Sequence, residues 1–223
     1  MRFLLIGSNG KMGKTIANLA KEYKDIIVCG IDTKLTNSNI KTYEKVDDIT
    51  EFFDAVIDFS STEDHTPFIN LAVRKNVPYG LFSTLIDTNT KKALVLASSN
   101  IPILACKNAS IGVNLLYEML NLLAEKLPNC DCVIQEYHHK GKADKPSGTA
   151  RDIEKILETH NIEYETHSYR VGKETGTHKI QFFLNDETIT LTHTAQSRDV
   201  FARGAILAMH NLIKKENGIY YHP

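Results

Sequence analysis

Short apolar runs alternate with segments of helical periodicity over the first part of this chain, and this alternation limits the possible folds more than any other feature. The apolar run 3–6 ends at Gly7, which is typical of a strand buried on both faces of a parallel sheet. Apolar side chains at Ile16 and Leu19 then predict a helix, and the run 26–31 predicts a second strand. The chain is therefore predicted to begin with a strand, helix, strand unit.

The same alternation continues. Further strands are predicted at 55–59, 77–82 and 101–105, and helices near 67–75 and 91–99. Strands that alternate with helices form a doubly wound parallel sheet with right-handed crossovers. We therefore predict an α/β, Rossmann-like first domain.

The pattern changes after residue 108, where a second domain is predicted to begin. A long helix is expected over 111–127, and residues 132–137 alternate as an antiparallel strand would. Two further alternating stretches, 179–184 and 188–193, predict a hairpin around the polar turn 185–187, and a terminal helix is expected over 202–215. The predicted organisation is a first domain at 1–108, with 196–223 packing back on it, and a central α+β domain at 109–195.

Composition excludes several classes of function. The 26 basic and 27 acidic side chains give a net charge of -1, so neither nucleic acid nor an anionic membrane is an expected partner. The four cysteines lack paired CxxC spacing, so buried reduced thiols are expected and no metal site. The apolar run at the start is too short for a signal peptide and no later stretch matches a membrane span, which predicts a cytoplasmic location.

A glycine-rich turn lies between the first predicted strand and helix. Its residues are Gly7, Ser8, Asn9, Gly10, Lys11, Met12 and Gly13. Without side chains at the glycines, backbone amides can approach a pyrophosphate, although such a turn also occurs as a plain strand-to-helix connection.

Asp32 favours the nucleotide interpretation of this turn. It ends the second predicted strand, where an acidic side chain can accept hydrogen bonds from the ribose of a dinucleotide. A solvated carboxylate at a strand end is the alternative. Lys34 is close enough in sequence to neutralise a ribose phosphate, so NADH and NADPH are both possible cofactors.

A second cluster, residues 136–150, gathers imidazoles, ammonium groups and a Ser-Gly-Thr helix start. His138 and His139 follow a predicted strand, so their side chains should point to opposite sides. Histidine suits proton transfer near neutral pH because both of its protonation states are accessible there. Lys142 can balance the charge of a carboxylate substrate. Exposed loop histidines without a catalytic role are the alternative.

The helix predicted over 150–158 begins directly after Ser147, Gly148 and Thr149. The first amides of a helix lack partners within it and can hold an anion. Capping of the helix is the simpler role of these residues, and it is compatible with binding.

The residues of this cluster follow the pattern E-x-H-H-x-x-K-x-D-x-P-S-G-T-A from Glu136 to Ala150. The pattern resembles the signature of the 4-hydroxy-tetrahydrodipicolinate reductase family, also called dihydrodipicolinate reductases. Further similar stretches at 7–13, 57–60, 108–114, 170–178, 195–198 and 201–205 extend the resemblance over nearly the whole chain. The resemblance implies NADH- or NADPH-dependent reduction of a cyclic imine that carries two carboxylates, on the route to diaminopimelate and lysine.

The resemblance also implies roles for individual residues. His138 and Lys142 would be catalytic, and the substrate would be bound by His139, Ser147, Gly148 and Thr149. The cofactor would be bound by the turn Gly7 to Gly13 together with Asp32, Phe82, Ser83, Thr84, Asn108 and Arg170. By the same resemblance the first domain binds the dinucleotide, and the central domain binds the substrate and forms a homotetramer through the strands at 179–193.

One stretch departs from the family pattern. Phe82-Ser83-Thr84-Leu85-Ile86 stands where the family has a G-T-T-G-[FY] loop beside the nicotinamide. A phenylalanine in place of a glycine crowds the ring unless the loop is shifted. This departure supports an alternative, a non-catalytic dinucleotide-sensing regulatory protein.

Hydrolytic metal chemistry is a third hypothesis for the two adjacent histidines. It is disfavoured, because His138 and His139 diverge on a strand and no third ligand is placed by spacing. The residue after Asp32 is Thr33 rather than an arginine, which argues against a strong preference for NADPH.

Overall fold

A computed structural model describes residues 1–34, 39–83, 86–127 and 130–222. The chain divides into two compact units, Met1–Ser110 with Phe201–Pro223, and Ile111–Val200. In chain order the elements are β1 (Arg2–Ile6), α1 (Lys11–Ala20), β2 (Ile26–Ile31), β3 (Thr42–Tyr43), β4 (Ala55–Asp58), α2 (Thr66–Lys75), β5 (Tyr79–Leu81), α3 (Thr88–Ala97), β6 (Pro102–Ala105), α4 (Ile111–Lys126), β7 (Asp131–His138), α5 (Gly148–Thr159), β8 (Tyr164–Arg170), β9 (Thr177–Phe183), β10 (Thr188–Thr194), α6 (Asp199–Leu212) and β11 (Gly218–Tyr220).

The first unit is built on a parallel sheet. Within the described residues, seven strands pair in the order β11-β6-β5-β4-β1-β2-β3, and every pair is parallel. Successive side chains of β1 point to opposite faces, so Phe3 and Leu5 join the core beneath α1 and α6, whereas Leu4 and Ile6 join the core beneath α2 and α3. Both faces of the sheet are covered, which confirms the predicted doubly wound fold.

The second unit is built on a mixed sheet. Its described strands pair in the order β10-β9-β7-β8, with β7 parallel to β8 and antiparallel to β9. The prediction of antiparallel pairing for the strand at 132–137 is thus correct on one side only. Apolar side chains of β7 and β9 pack against Leu116 and Leu120 of α4 and Ile153 and Leu157 of α5.

The alternation of β7 positions the candidate site. Cys132, Ile134, Glu136 and His138 are buried in succession, whereas the residues between them are half-buried. Because side chains two residues apart share a face of a strand, the face that begins in the apolar core ends in a carboxylate and an imidazole.

The cysteines and the helices bear on two of the expectations from composition. All four cysteines are buried, as predicted. No helix within the described residues has the length and apolar character that a bilayer span requires.

Candidate active site

The glycine turn at the carboxyl end of β1 adopts a conformation that needs glycine. Gly7 has a φ of 78°, in the left-handed region, and its amide donates to the carbonyl of Ile31 at 2.8 Å. A Cβ at Gly13 would lie 2.2 Å from the carbonyl oxygen of Gly7, so α1 can approach the turn only with glycine there. Gly10, the N-cap of α1, supplies no side-chain cap. The turn therefore fits a pyrophosphate on the first amides of α1.

Asp32 lies beside this turn, as predicted. Its carboxylate accepts hydrogen bonds from the amide of Asn9 at 2.9 Å and from the amide of Lys34 at 3.0 Å. A cleft of about 520 Å³ is shared by the turn and this carboxylate. Its lining also includes Lys11, Lys14, Thr33, Phe59 and Ser61.

Not every residue of the turn offers its side chain to the cleft. Ser8 is buried, and its hydroxyl lies 3.5 Å from that of Thr42. Met12 packs on the core of the first unit, and the side-chain amide of Asn9 donates to the carbonyl of Lys34. The buried Ser8 could therefore contact a cofactor only through its backbone, whereas the half-buried Met12 is partly held by the core.

Phe82 does not crowd the cleft, because its side chain belongs to the core. It is 6% exposed and stacks on Phe59, with ring centroids 4.9 Å apart and planes inclined by 9°. Phe59, not Phe82, lines the cleft. Ser83 is half-buried next to it, and Thr84 lies outside the described residues.

Asn108, another residue predicted to contact the cofactor, accepts a hydrogen bond through its side-chain oxygen from the amide of Ser110 at 3.0 Å.

The buried carboxylate and imidazole of β7 form an ion-pair network with Arg170. Nδ1 of His138 contacts Oε2 of Glu136, and a guanidinium nitrogen of Arg170 lies 2.8 Å from Oε1. Strand pairing brings these groups together, since His138 is the partner of Arg170 on β8. All three side chains are at most 10% exposed.

The network determines the charges of its members. Burial by itself would raise the pKa of Glu136, but hydrogen bonds from Arg170, Ser168 and His138 outweigh it and hold that pKa below its usual range. Burial lowers the pKa of His138, the carboxylate of Glu136 opposes this, and the nearby cations Lys142 and Arg170 lower the pKa further. Glu136 is therefore ionised at neutral pH.

Arg170 also fixes the loop that follows β7. Its guanidinium donates to the carbonyl of Lys142 at 3.3 Å and to the carbonyl of Asp144. The ammonium of Lys142 lies 2.8 Å from the carboxylate of Asp144, and the Lys142 side chain is 25% exposed. Arg170 was predicted as a cofactor contact, but its side chain is occupied with Glu136 and this loop.

The start of α5 is tied to a buried histidine that sequence reasoning did not select. Ser147 caps the helix by accepting from the amide of Ala150 at 3.2 Å, and its hydroxyl lies 3.0 Å from Nε2 of His178. Ser147 was predicted to bind substrate, but its hydroxyl is engaged with the helix and with His178 inside the protein. A Cβ at Gly148 would meet nothing within 4 Å, so the helix start is open at this residue.

His178 packs edge-on against the ring of His138, with centroids 5.4 Å apart. Burial, with a smaller contribution from the charge of His138, lowers the pKa of His178 to about 3. Because this value lies below the 6.5 of an unfolded chain, the unfolded state binds more protons between those pH values. The folded protein therefore loses stability as the pH falls from 6.5 toward 3.

We expect His178→Gln to reduce this loss. Titration of His178 should account for about 3 kcal/mol of the fall in unfolding free energy between pH 7 and pH 4. Urea unfolding at the two pH values measures the difference, with His160→Gln at the exposed end of α5 as the control. Equal pH dependence in His178→Gln and the wild type would contradict the pKa assigned to His178.

The charges around this site fit an anion better than a cation. Glu136, His138 and His178 are the one set of three such side chains, in the part of the chain that is described, whose potential metal-ligand atoms all lie within 4.8 Å of one another. Arg170 already occupies the carboxylate, and the positive charge of Lys142 acts on both histidines. A metal ion would be repelled by these two cations.

His139 faces a different part of the same unit. It lines an open cleft of about 420 Å³. Other residues of that lining are Lys140, Gly141, Gly172, Lys173, Thr175 and Arg198. His138 is buried and His139 half-buried, in line with the predicted divergence of the two side chains. The cleft is basic and suits a carboxylate.

Sequence reasoning missed Glu136 and His178 as site residues. The spacing of Glu136 and His138 on one strand contained a signal, because residues two apart share a face. His178 had no local signal, since it reaches the site only because β9 pairs with β7, where it is the partner of Glu136.

A glycine turn that fits a pyrophosphate, set on a doubly wound sheet, is typical of a dinucleotide-dependent protein, and a buried imidazole among cations in the second unit is suited to proton transfer to an anionic substrate. These are the properties of a nicotinamide-dependent oxidoreductase. The chain belongs to the dihydrodipicolinate reductase family: the model of the family's N-terminal part matches residues 1–109 and that of its C-terminal part residues 112–222. This confirms the resemblance found from the motif, and with it the predicted enzyme class and the use of NADH or NADPH.

Individual relatives are similar to this chain over nearly its full length. The chain is 33% identical to 4-hydroxy-tetrahydrodipicolinate reductase of Caldanaerobacter subterraneus, covering 99% of this chain and 96% of the relative. It is also 33% identical to the enzyme of that name from Xanthomonas campestris, with 99% and 95% covered. The fold matches a dipicolinate-bound dihydrodipicolinate reductase from Paenisporosarcina with a TM-score of 0.85 at 18% identity, over 100% of this chain and 97% of that one.

Proposed function

We propose that this protein reduces the cyclic imine formed from 4-hydroxy-tetrahydrodipicolinate to tetrahydrodipicolinate, in the biosynthesis of diaminopimelate and lysine. The observation that carries the proposal is the buried His138, held against an ionised Glu136 and flanked by Lys142 and Arg170. That arrangement combines a proton donor with positive charge for a dicarboxylate. The relatives named above support the choice of substrate.

His138 is the proposed proton donor. NADH or NADPH, when bound, supplies a hydride to the conjugated ring. The charge that develops on the ring is then neutralised by a proton from His138, which is general acid catalysis. Because the pKa of His138 is lowered, its imidazolium is a stronger acid than that of an exposed histidine, and a bound dianionic substrate would favour the charged form.

Lys142 and the start of α5 are the proposed carboxylate-binding groups. Lys142 is already paired with the half-exposed Asp144, so a substrate carboxylate would share or replace that partner. The amides of Gly148 and Thr149 at the helix start would donate hydrogen bonds to a second carboxylate of the substrate. His139, in the neighbouring basic cleft, is a further proposed contact.

The direct test is turnover. Purified protein is mixed with NADH or NADPH and freshly generated dihydrodipicolinate, and the loss of nicotinamide absorbance is followed. Absence of turnover in a folded sample that binds NADH would reject the reductase and restore the non-catalytic alternative. That alternative has lost its main support, because Phe82 is accommodated in the core.

We further propose that NADH is preferred over NADPH. The carboxylate of Asp32 would accept from the ribose hydroxyls of NADH, whereas the 2′-phosphate of NADPH would meet a like charge. Asp32→Asn is expected to raise the KM for NADH about tenfold, the loss of one charge-assisted hydrogen bond. The KM for NADPH should rise less, so the preference for NADH over NADPH should become smaller.

Steady-state kinetics with both cofactors provides the measurement, and Asp47→Asn is the control, because Asp47 is exposed and pairs with Arg74. An unchanged ratio of the two KM values in Asp32→Asn would reject this role.

Two predictions about the whole protein remain proposals. A homotetramer is expected to form through β9 and β10, since β10 is an edge strand and alternate residues along it are exposed. Light scattering would then give four times the 25.1 kDa of one chain. A cytoplasmic location also stays a prediction.

A further inference from the structure

The carboxylate of Glu136 is divided between two partners. Glu136 is fully buried, with Oε2 at Nδ1 of His138 and Oε1 2.8 Å from Arg170. Because the pKa of Glu136 lies below its usual range, the carboxylate is ionised and can only accept hydrogen bonds. Nδ1 of His138 must therefore carry a hydrogen.

The other ring nitrogen of His138 lies beside Gly176. A Cβ at Gly176 would lie 3.0 Å from Nε2, closer than a side chain can be placed without displacing the ring. Glycine at this position keeps the Nε2 side of the ring clear. A proton that enters or leaves His138 does so at Nε2, because Nδ1 is engaged with Glu136.

We infer that Glu136 is a positioning residue for the proposed reaction: it fixes His138 in the tautomer with hydrogen on Nδ1 and thereby directs Nε2 to the substrate. Arg170 keeps Glu136 ionised and in place. For the identity of the substrate this inference rests on the proposed function. The tautomer itself is a property of the free protein and can be measured without any reaction.

The contribution of Glu136 to the protonation of His138 has a definite sign. The carboxylate favours the imidazolium, whereas burial, Lys142 and Arg170 disfavour it. Loss of the carboxylate charge should lower the pKa of His138 further. The proton donor would then be deprotonated at lower pH, and the falling limb of the pH profile of kcat/KM should move in that direction.

The first experiment uses the unaltered protein without cofactor. Nitrogen NMR of ¹⁵N-histidine-labelled protein, with His138→Gln to assign the signal, is expected to show neutral His138 protonated on Nδ1. A neutral His138 protonated on Nε2 would overturn the inference. This outcome does not depend on turnover, so it remains informative even if the reductase proposal fails.

The second experiment uses variants of Glu136. Glu136→Gln should lower kcat/KM by about 10- to 100-fold, by analogy with the range seen when the partner that orients a metal-binding histidine is removed. It should also shift the NMR titration of His138 and the pH profile to lower pH. Glu136→Asp keeps a negative charge for Arg170, so it should still fold if the glutamine variant does not. Its NMR titration of His138 and its pH profile should shift in the same direction by a smaller amount.

The control is Glu165→Gln on β8. Glu165 has the same spacing to His167 as Glu136 has to His138, but that pair is exposed. This variant should leave the titration of His138 and kcat/KM unchanged. If folded Glu136→Gln and Glu136→Asp retain the wild-type titration of His138 and the wild-type pH profile, Glu136 has only a structural role and the inference is wrong.

Discussion

His138→Ala is expected to lower kcat/KM for the cyclic imine by a factor of about 10² to 10⁴, the usual contribution of a general acid. The affinity for NADH should stay near the wild-type value, because the residues proposed to hold the dinucleotide, the glycine turn 7–13 and Asp32, are unaltered. Absorbance kinetics gives the first quantity, and titration of nicotinamide fluorescence gives the second.

His160→Ala is the matched control for this substitution. His160 lies in the same unit at the end of α5 and contacts the side chain of Asn121, so its loss should leave turnover near the wild-type value. A His138→Ala variant that keeps more than a tenth of wild-type kcat/KM would assign the proton to another group. Lys142 would then be the next candidate.

Gly13→Ala is expected to weaken NADH binding at least about tenfold and to lower the free energy of unfolding by about 1–3 kcal/mol. The new Cβ would lie 2.2 Å from the carbonyl oxygen of Gly7 and 2.7 Å from that of Ser8. Both are backbone atoms that cannot rotate away. The turn must therefore open or α1 must move, and either change misplaces the amides that would hold the pyrophosphate.

Fluorescence titration with NADH and urea unfolding measure the two effects. Thr15→Ala, two residues further along α1, is the control, since its hydroxyl donates to the carbonyl of Lys11 in the preceding turn of the same helix. Wild-type NADH affinity in a stable Gly13→Ala protein would show that the turn does not bind the dinucleotide.

Much of the fold followed from local pattern. The continuous apolar run of β1 and the helical spacing of α1 place side chains on both faces of the sheet, and the structure confirms both elements. Three strands were not predicted. β3 and β11 have two and three residues, too few for a period to be detected. β8, Tyr164–Arg170, alternates between half-buried and exposed side chains that are almost all polar, so it has no apolar signal.

The site could be predicted only in part. His138, Lys142 and the helix start at Ser147 lie within one continuous segment, so they could be proposed as site residues from the sequence. The role of Phe82 could not be predicted from the sequence, because the side chain of a phenylalanine next to a strand can turn toward the core or toward the cleft. Stacking on Phe59 decides in favour of the core.

The sequence by itself indicated the glycine turn and the acidic residue beside it, because each of these depends on neighbours along the chain. The resemblance to the family then pointed to His138 as the imidazole proposed to transfer a proton. Only the tertiary structure placed Glu136, Arg170 and His178 around that imidazole. They reach it from three different strands, β7, β8 and β9, and the register that joins them is fixed by strand pairing. This pairing joins residues that are far apart in the chain, such as Glu136 with His178 and His138 with Arg170, so no single stretch of sequence contains the complete site.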